Sequence, residues 1–129
     1  STTALDMTIR SFELQLLEAS GYRPQLQNCL SCDNSIRPET NHFSSKMGGV
    51  LCPDCALADG AAPVISPAAL KIMRNLQSNE DSMLLASGVD DTAQREVERR
   101  IQEYIVYRLE GRLRSVEFLA RLHSEGVPR

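Results

Sequence analysis

Cys29-Leu30-Ser31-Cys32 and Cys52-Pro53-Asp54-Cys55 hold all four cysteines of the chain, and 19 residues (33–51) separate the two pairs. Two residues between cysteines let both thiolates reach one cation from a single tight turn, and two such turns close a tetrahedron. Gly48-Gly49, just before the second pair, allows a short β-hairpin to reverse and deliver Cys52. The stretch from 25 to 58 is rich in Asn, Ser, Pro and Gly and has little apolar surface. A metal would therefore supply what a core cannot. A disulfide framework needs an oxidising compartment, and no segment of the sequence directs the chain to one. A thioredoxin-like redox site needs one pair on a βαβ frame, and iron–sulfur clusters use other spacings. The spacing predicts one structural Zn²⁺ per chain on Cys29, Cys32, Cys52 and Cys55. Four thiolates leave no position for water, so the site is expected to be non-catalytic. His42 is the one further residue near enough in sequence to join it, and an ordinary loop histidine is the simpler reading.

Outward from this loop the pattern is helical. Leu5, Ile9, Phe12 and Leu16 form one apolar strip and Met7, Leu14 and Leu17 a second, with Gly21 placed to end the helix. A helix so apolar should be buried on more than one side, with packing partners upstream of residue 1. Residues 59–66 read as a linker, and Ser66-Pro67 as N-cap and first residue of a short helix carrying Leu70, Ile72, Met73 and Leu76. Residues 77–90 are polar and turn-rich. Asp91 or Thr92 is placed to cap a helix with a Val97, Ile101, Tyr104, Ile105, Leu109 stripe, Gly111 to interrupt it, and Ser115 to start a last helix. The expected fold is mainly α, a small four-helix bundle with an inserted four-cysteine zinc-finger loop of ribbon or knuckle type. Its parts are the first helix (1–25), the insert (26–58) and the remaining helices (59–129).

The 129 residues carry a net charge of −3, with 42% hydrophobic and 24% charged residues. This is a globular composition. The first ten residues, with Asp6 and no apolar block, are not expected to act as a signal peptide, and no apolar run is long enough to span a membrane. The charge is uneven: residues 1–91 sum to −5, while 92–129 hold eight Arg against six Glu. No phosphate-binding glycine loop, nucleophile elbow or metalloprotease motif is present, His42 and His123 stand far apart, and no enzyme is expected.

Several stretches together resemble one family. Arg10-Ser11-Phe12-Glu13-Leu14 followed by Gly21-Tyr22-Arg23-Pro24, the two cysteine pairs with His42-Phe43-Ser44 and Gly48-Gly49-Val50-Leu51, Ile65-Ser66-Pro67, and Leu113-Arg114-Ser115-Val116-Glu117-Phe118-Leu119 are similar, in this order, to the bacterial DNA repair family RecO. The likeness covers about residues 8–123 and matches the family's carboxyl-terminal part, without the amino-terminal oligonucleotide-binding barrel. His42 stands where the family usually has Tyr, and Arg114 where Lys is common.

The resemblance implies a non-enzymatic, cytoplasmic, nucleoid-associated recombination mediator. It implies partners too: single- and double-stranded DNA, mostly through the barrel, RecR, the acidic tail of single-strand-binding protein, and indirectly RecA. An acidic tail with an apolar end needs a cationic rim beside an apolar groove. Arg10 is the candidate grip for its carboxylate, and Arg108, Arg112 and Arg114 near Gly111 are candidates for phosphates or a partner. Each competes with the simpler reading of an arginine on a solvated helix face. Tyr104 and Tyr107 are placed to stack on bases, although Tyr104 falls on the core stripe. The alternative is a stand-alone zinc-stapled helical module that binds nucleic acid through its Arg-rich carboxyl-terminal helices.

Overall fold

The computed structural model describes residues 2–78 and 90–124. Helix α1 (Thr2–Ala19) leads into an irregular segment and a hairpin of β1 (Asn41–Ser44) and β2 (Gly49–Leu51). A 3-10 helix (Pro53–Asp59), β3 (Val64–Ile65), α2 (Pro67–Gln77) and α3 (Asp91–Ser124) follow. The fold is mainly helical, with the four cysteines gathered in the loop region. The sheet order is β2-β1-β3, all antiparallel, with Phe43 opposite Val50 and Asn41 opposite Ile65.

One hydrophobic cluster joins helices and sheet. Met7, Leu14 and Leu17 of α1, Leu70, Met73 and Leu76 of α2, and Val97, Ile101 and Tyr104 of α3 meet Phe43, Val50, Leu51 and Ile65. Phe43 and Tyr104 pack edge to face, with ring centroids 5.8 Å apart. The Tyr104 hydroxyl donates to the Tyr22 carbonyl at 2.9 Å, so its polar end is satisfied inside the core. Arg74 Nε donates to the Leu26 carbonyl (2.8 Å) and Gln77 Nε2 to that of Pro24 (2.9 Å), which pins α2 to the chain entering the cysteine loop.

The helix ends follow local chemistry. Ser66 accepts from the Ala69 N–H with Pro67 in the first turn, as its sequence predicts. At the end of α1, the Tyr22 N–H reaches back to the Leu17 carbonyl (2.7 Å) while Gly21 takes φ +84°. The start of α3 lies one residue earlier than expected. The Asp90 carbonyl accepts from the Gln94 N–H, and its carboxylate lies 3.4 Å from the Thr92 N–H.

Three expectations are corrected. Gly111 does not break α3, which runs through it for 34 residues. Ser115 Oγ instead bonds back to the Gly111 carbonyl (3.1 Å) within the continuous helix. A lone glycine costs a helix only about 1 kcal/mol, and the Arg, Leu and Glu around it are good helix formers. The described residues therefore hold three α-helices rather than four, and the polar stretch read at 77–90 falls largely outside them. Second, the linker at 59–66 contains β3, whose Ile65 is fully buried beside β1. Third, α1 is buried on one side only. Met7, Leu14 and Leu17 face the core, while Leu5, Ile9, Phe12 and Leu16 are 40–60% exposed. α2 and α3 cover a single face of it. α3 runs alongside in the same direction, with Gln94 donating to Asp6 (2.8 Å) and Arg10 pairing with Glu98 (2.8 Å).

Candidate metal centre and the surfaces around it

The cysteine pairs come together through backbone geometry. In the first, Asp33 takes φ +64° and its N–H returns to the Cys29 carbonyl (2.9 Å), while the Cys29 N–H donates to the Asn34 carbonyl (2.9 Å). The second pair sits at the start of the 3-10 helix, where the Cys55 N–H reaches the Cys52 carbonyl (3.0 Å). The hairpin presents one turn to the other, and the Leu30 N–H donates to the Val50 carbonyl (3.0 Å). Gly49 is required here. A Cβ at this position would lie 2.3 Å from the Gln25 carbonyl oxygen, because Gln25 bonds to both Gly48 and Val50.

All four Sγ atoms lie within 4.8 Å of one another, and Cys32 and Cys52 are 3.9 Å apart. A tetrahedral ion with metal–sulfur bonds near 2.3 Å needs sulfurs ~3.8 Å apart. The cysteines are free thiols, not disulfides. The donor set thus fits a metal ion and is compatible with zinc. Burial pushes the Cys29 thiol up, but the N–H groups of Cys32, Cys52 and Ser31 outweigh it and bring the pKa down to about 6. Its sulfur accepts from Ser31 and Cys52, both at 3.4 Å. Hydrogen bonding with Cys52 pushes Cys55 up to about 12. The thiolate is thus favoured at Cys29 over Cys52 and Cys55, both of which are pushed up, as expected where thiols share one small space. His42 lies outside the cluster, its Nδ1 3.2 Å from the Ala62 carbonyl.

Arg108 ties this loop to α3. Its guanidinium lies 5.1–5.4 Å from the ring centres of Tyr22, Tyr104 and Tyr107, and it donates to the Ser45 carbonyl at 3.3 Å. Arg10 is almost fully buried, its guanidinium held by Glu13 (2.5 Å) and Glu98 (2.8 Å). Burial pushes the Glu13 carboxyl up despite this partner. Arg112 and Arg114 are exposed and line a cavity of about 330 Å³ with Tyr22, Tyr107 and Arg108. Beside it, Glu13, Leu16, Leu17, Ile105, Leu109 and Arg112 border a smaller groove between α1 and α3, about 180 Å³. Three of the four arginines singled out in sequence thus meet at one place, and Arg10 stands apart from it, inside.

The reading along the sequence missed a second basic cluster. Arg95, Arg99 and Arg100, on the first turns of α3, line a cavity of about 520 Å³ with Thr40, Ser66 and Thr92. Its walls come from three separated segments, and only the run of three arginines within six residues could have signalled it.

Comparison with known proteins identifies the family. The model of the family described as "Recombination protein O C terminal" matches residues 2–117. The chain is 41% identical over 116 residues to the DNA repair protein RecO of Roseiflexus sp. (strain RS-1), covering 90% of this chain and 41% of that protein. It is 33% identical over 122 residues to that of Dehalococcoides mccartyi (95% and 48%), and 32% identical over 124 residues to that of Desulforamulus reducens (96% and 48%). The chain spans about half the length of the curated relatives it matches. No solved structure matches it significantly. Sequence motifs, the family model and the relatives agree: the chain belongs to the RecO family of DNA repair proteins, of which it represents the carboxyl-terminal part.

Proposed function

We propose that this chain is the partner-binding part of a non-enzymatic recombination mediator, and that Cys29, Cys32, Cys52 and Cys55 hold one structural Zn²⁺. Membership in the RecO family carries the reading. The zinc fixes the hairpin, and through Arg108 it fixes the position of α3 beside α1. The groove between these helices then offers Leu16, Leu17, Ile105 and Leu109 as an apolar floor, with Arg108 and Arg112 at its edge. That combination suits the acidic, apolar-ended tail of single-strand-binding protein. Arg10 is already held by two carboxylates, so Arg112 takes the gripping role in this reading. RecR and RecA loading belong to the full-length protein, as does DNA contact through its amino-terminal barrel. Among the described residues no helix is long and apolar enough to cross a membrane, and the proposed place of action is the bacterial cytoplasm, at the nucleoid. The proposed organisation is one helical domain, made of a first helix (1–25) and later helices (59–129), with a zinc-finger insert (26–58) between them.

A second reading rests on the cavity where Arg112 and Arg114 meet Tyr22 and Tyr107: direct nucleic-acid binding by α3. The two separate in one experiment on one zinc-assayed preparation. An acidic tail peptide and a labelled single-stranded oligonucleotide are titrated in parallel by fluorescence anisotropy. One zinc per chain, peptide binding that falls about tenfold in Arg112→Gln, and unchanged oligonucleotide binding in that variant support the mediator reading. No peptide binding, with oligonucleotide binding that collapses as salt rises and in Arg112→Gln/Arg114→Gln, supports the second.

A further inference from the structure

We propose that Arg95, Arg99 and Arg100 form a phosphate-binding pocket that takes a backbone phosphodiester of single-stranded nucleic acid, on the opposite half of α3 from the tail groove. The site choice is independent of the tail groove, and the choice of nucleic acid as phosphate source rests on the DNA-repair reading above. The central observation is Arg100. Its side chain is 93% buried (7% exposed), it pairs with Glu103 through Nη2 at 3.2 Å, and Nε and Nη1 are buried with no acceptor among the described residues. Buried N–H groups of a cation without an acceptor are costly. A guanidinium kept this way beside a cavity is poised for an anion.

The surroundings point the same way. Arg95 and Arg99 reach the same cavity from the exposed side of α3, and the hydroxyl residues Thr40 and Thr92 complete its rim. Thr92 lies in the first turn of α3, and Ser66 caps α2, so the starts of two helices line the cavity. One carboxylate, Glu96, also lines the cavity. It is already engaged, accepting from the Ser66 N–H (2.6 Å) and Ser66 Oγ (2.8 Å) as an anionic cap on α2. Three cations against two engaged carboxylates, Glu96 at the start of α2 and Glu103 on Arg100 Nη2, leave the cavity positive. Planar guanidinium forks and hydroxyls match the oxygens of a phosphate, and a volume of about 520 Å³ open to solvent admits a chain rather than only a free ion.

The test uses the 129-residue chain, a labelled thymidine oligonucleotide and inorganic phosphate. Arg95→Gln/Arg99→Gln changes only exposed side chains, and its thermal unfolding is checked against the unchanged chain. The expected result is an affinity loss of about tenfold or more for the oligonucleotide, and a slope of log K against log salt shallower by about 1.4, the value for two lost single-strand contacts. Competition by millimolar phosphate should be weaker in the variant. Unchanged affinity and slope would overturn the pocket. So would a loss seen only in Arg112→Gln/Arg114→Gln, which would move the nucleic-acid contact to the far half of α3. Phosphate-induced thermal stabilisation that disappears in Arg95→Gln/Arg99→Gln, without oligonucleotide binding by the unchanged chain, would overturn nucleic acid as the source. Peptide titration on the same preparation reports on the tail groove separately, so either reading can fail alone.

Discussion

The cysteine loop and the distal half of α3 are ordered by different means. In the loop, backbone hydrogen bonds join Gln25, Cys29, Leu30, Gly48 and Val50, and the side chains of Phe43, Val50 and Leu51 are buried. Along α3 from residue 112 to 121 every side chain is exposed, including Leu113, Val116, Phe118 and Leu119. The loop has poor intrinsic propensity and many long-range ties, whereas the distal helix has good propensity and few ties. Short irregular chain is held by closure, to which the proposed zinc would add ligation, and a helix can hold itself by its own repeating bonds only to a modest degree.

Removing the proposed zinc, or Cys29→Ser, is expected to have the largest effect. It should melt the loop and cost several kcal/mol, since structural zinc sites contribute ~10–16 kcal/mol of apparent binding energy in small fingers. Loss of the dispersed amide resonances of residues 25–58 on chelation would show it; an unaltered spectrum would mean that packing alone orders the loop. Gly49→Ala follows, at on the order of 3 kcal/mol, because the new methyl meets the fixed Gln25 backbone. Urea unfolding measures this, and a cost below a few tenths would show that the Gln25 segment yields. Arg108→Leu should cost about 1–2 kcal/mol, from the loss of its tyrosine contacts and the Ser45 bond. It should also weaken peptide binding more than oligonucleotide binding at Arg95 and Arg99.

The loop also has a pH signature. The Ser44 hydroxyl donates to Asp59 (2.6 Å), and this bond holds the Asp59 carboxyl below its usual value. A depressed carboxyl stabilises the fold above its ordinary unfolded pKa of about 3.9, and the contribution is lost as pH falls through the lower folded value. Asp59→Asn should therefore lower the melting temperature at pH 7 slightly and flatten its fall between pH 5 and 3. An identical acid profile in both proteins would refute the link. The smallest effect is expected in the distal helix, where Leu113→Ser should change stability by no more than about 0.5 kcal/mol. A larger loss by urea unfolding would reveal packing that α3 shares with the body.

Much of this was legible in the sequence where short-range rules govern. The cysteine spacing anticipated the sulfur cluster, Gly48-Gly49 the hairpin, and Ser66-Pro67 the start of α2. The two strips of α1 were also visible, but periodicity says only which residues share a face. Which strip finds a partner depends on α2 and α3, and these cover Met7, Leu14 and Leu17. Gly111 misled because a glycine is both a helix end and a tolerable helix residue, and only the neighbouring propensities decide. β3 is two residues long, too short to show alternation. The Arg95, Arg99 and Arg100 cavity was illegible because Thr40 and Ser66 reach it only through the sheet and the capped start of α2.

The unbroken path of α3 through Gly111 has a consequence for the order in which the molecule comes apart. Past Gly111 a further 13 residues, ~20 Å at 1.5 Å per residue, extend to Ser124. Since no buried side chain anchors residues 112–121, their amides should exchange with solvent long before those around Val97 and Ile101, and a protease should nick there first. The helix is thus a gradient of commitment, firm where it carries the core and reversible at its tip. Whatever closes on that tip supplies its ordering at the moment of contact.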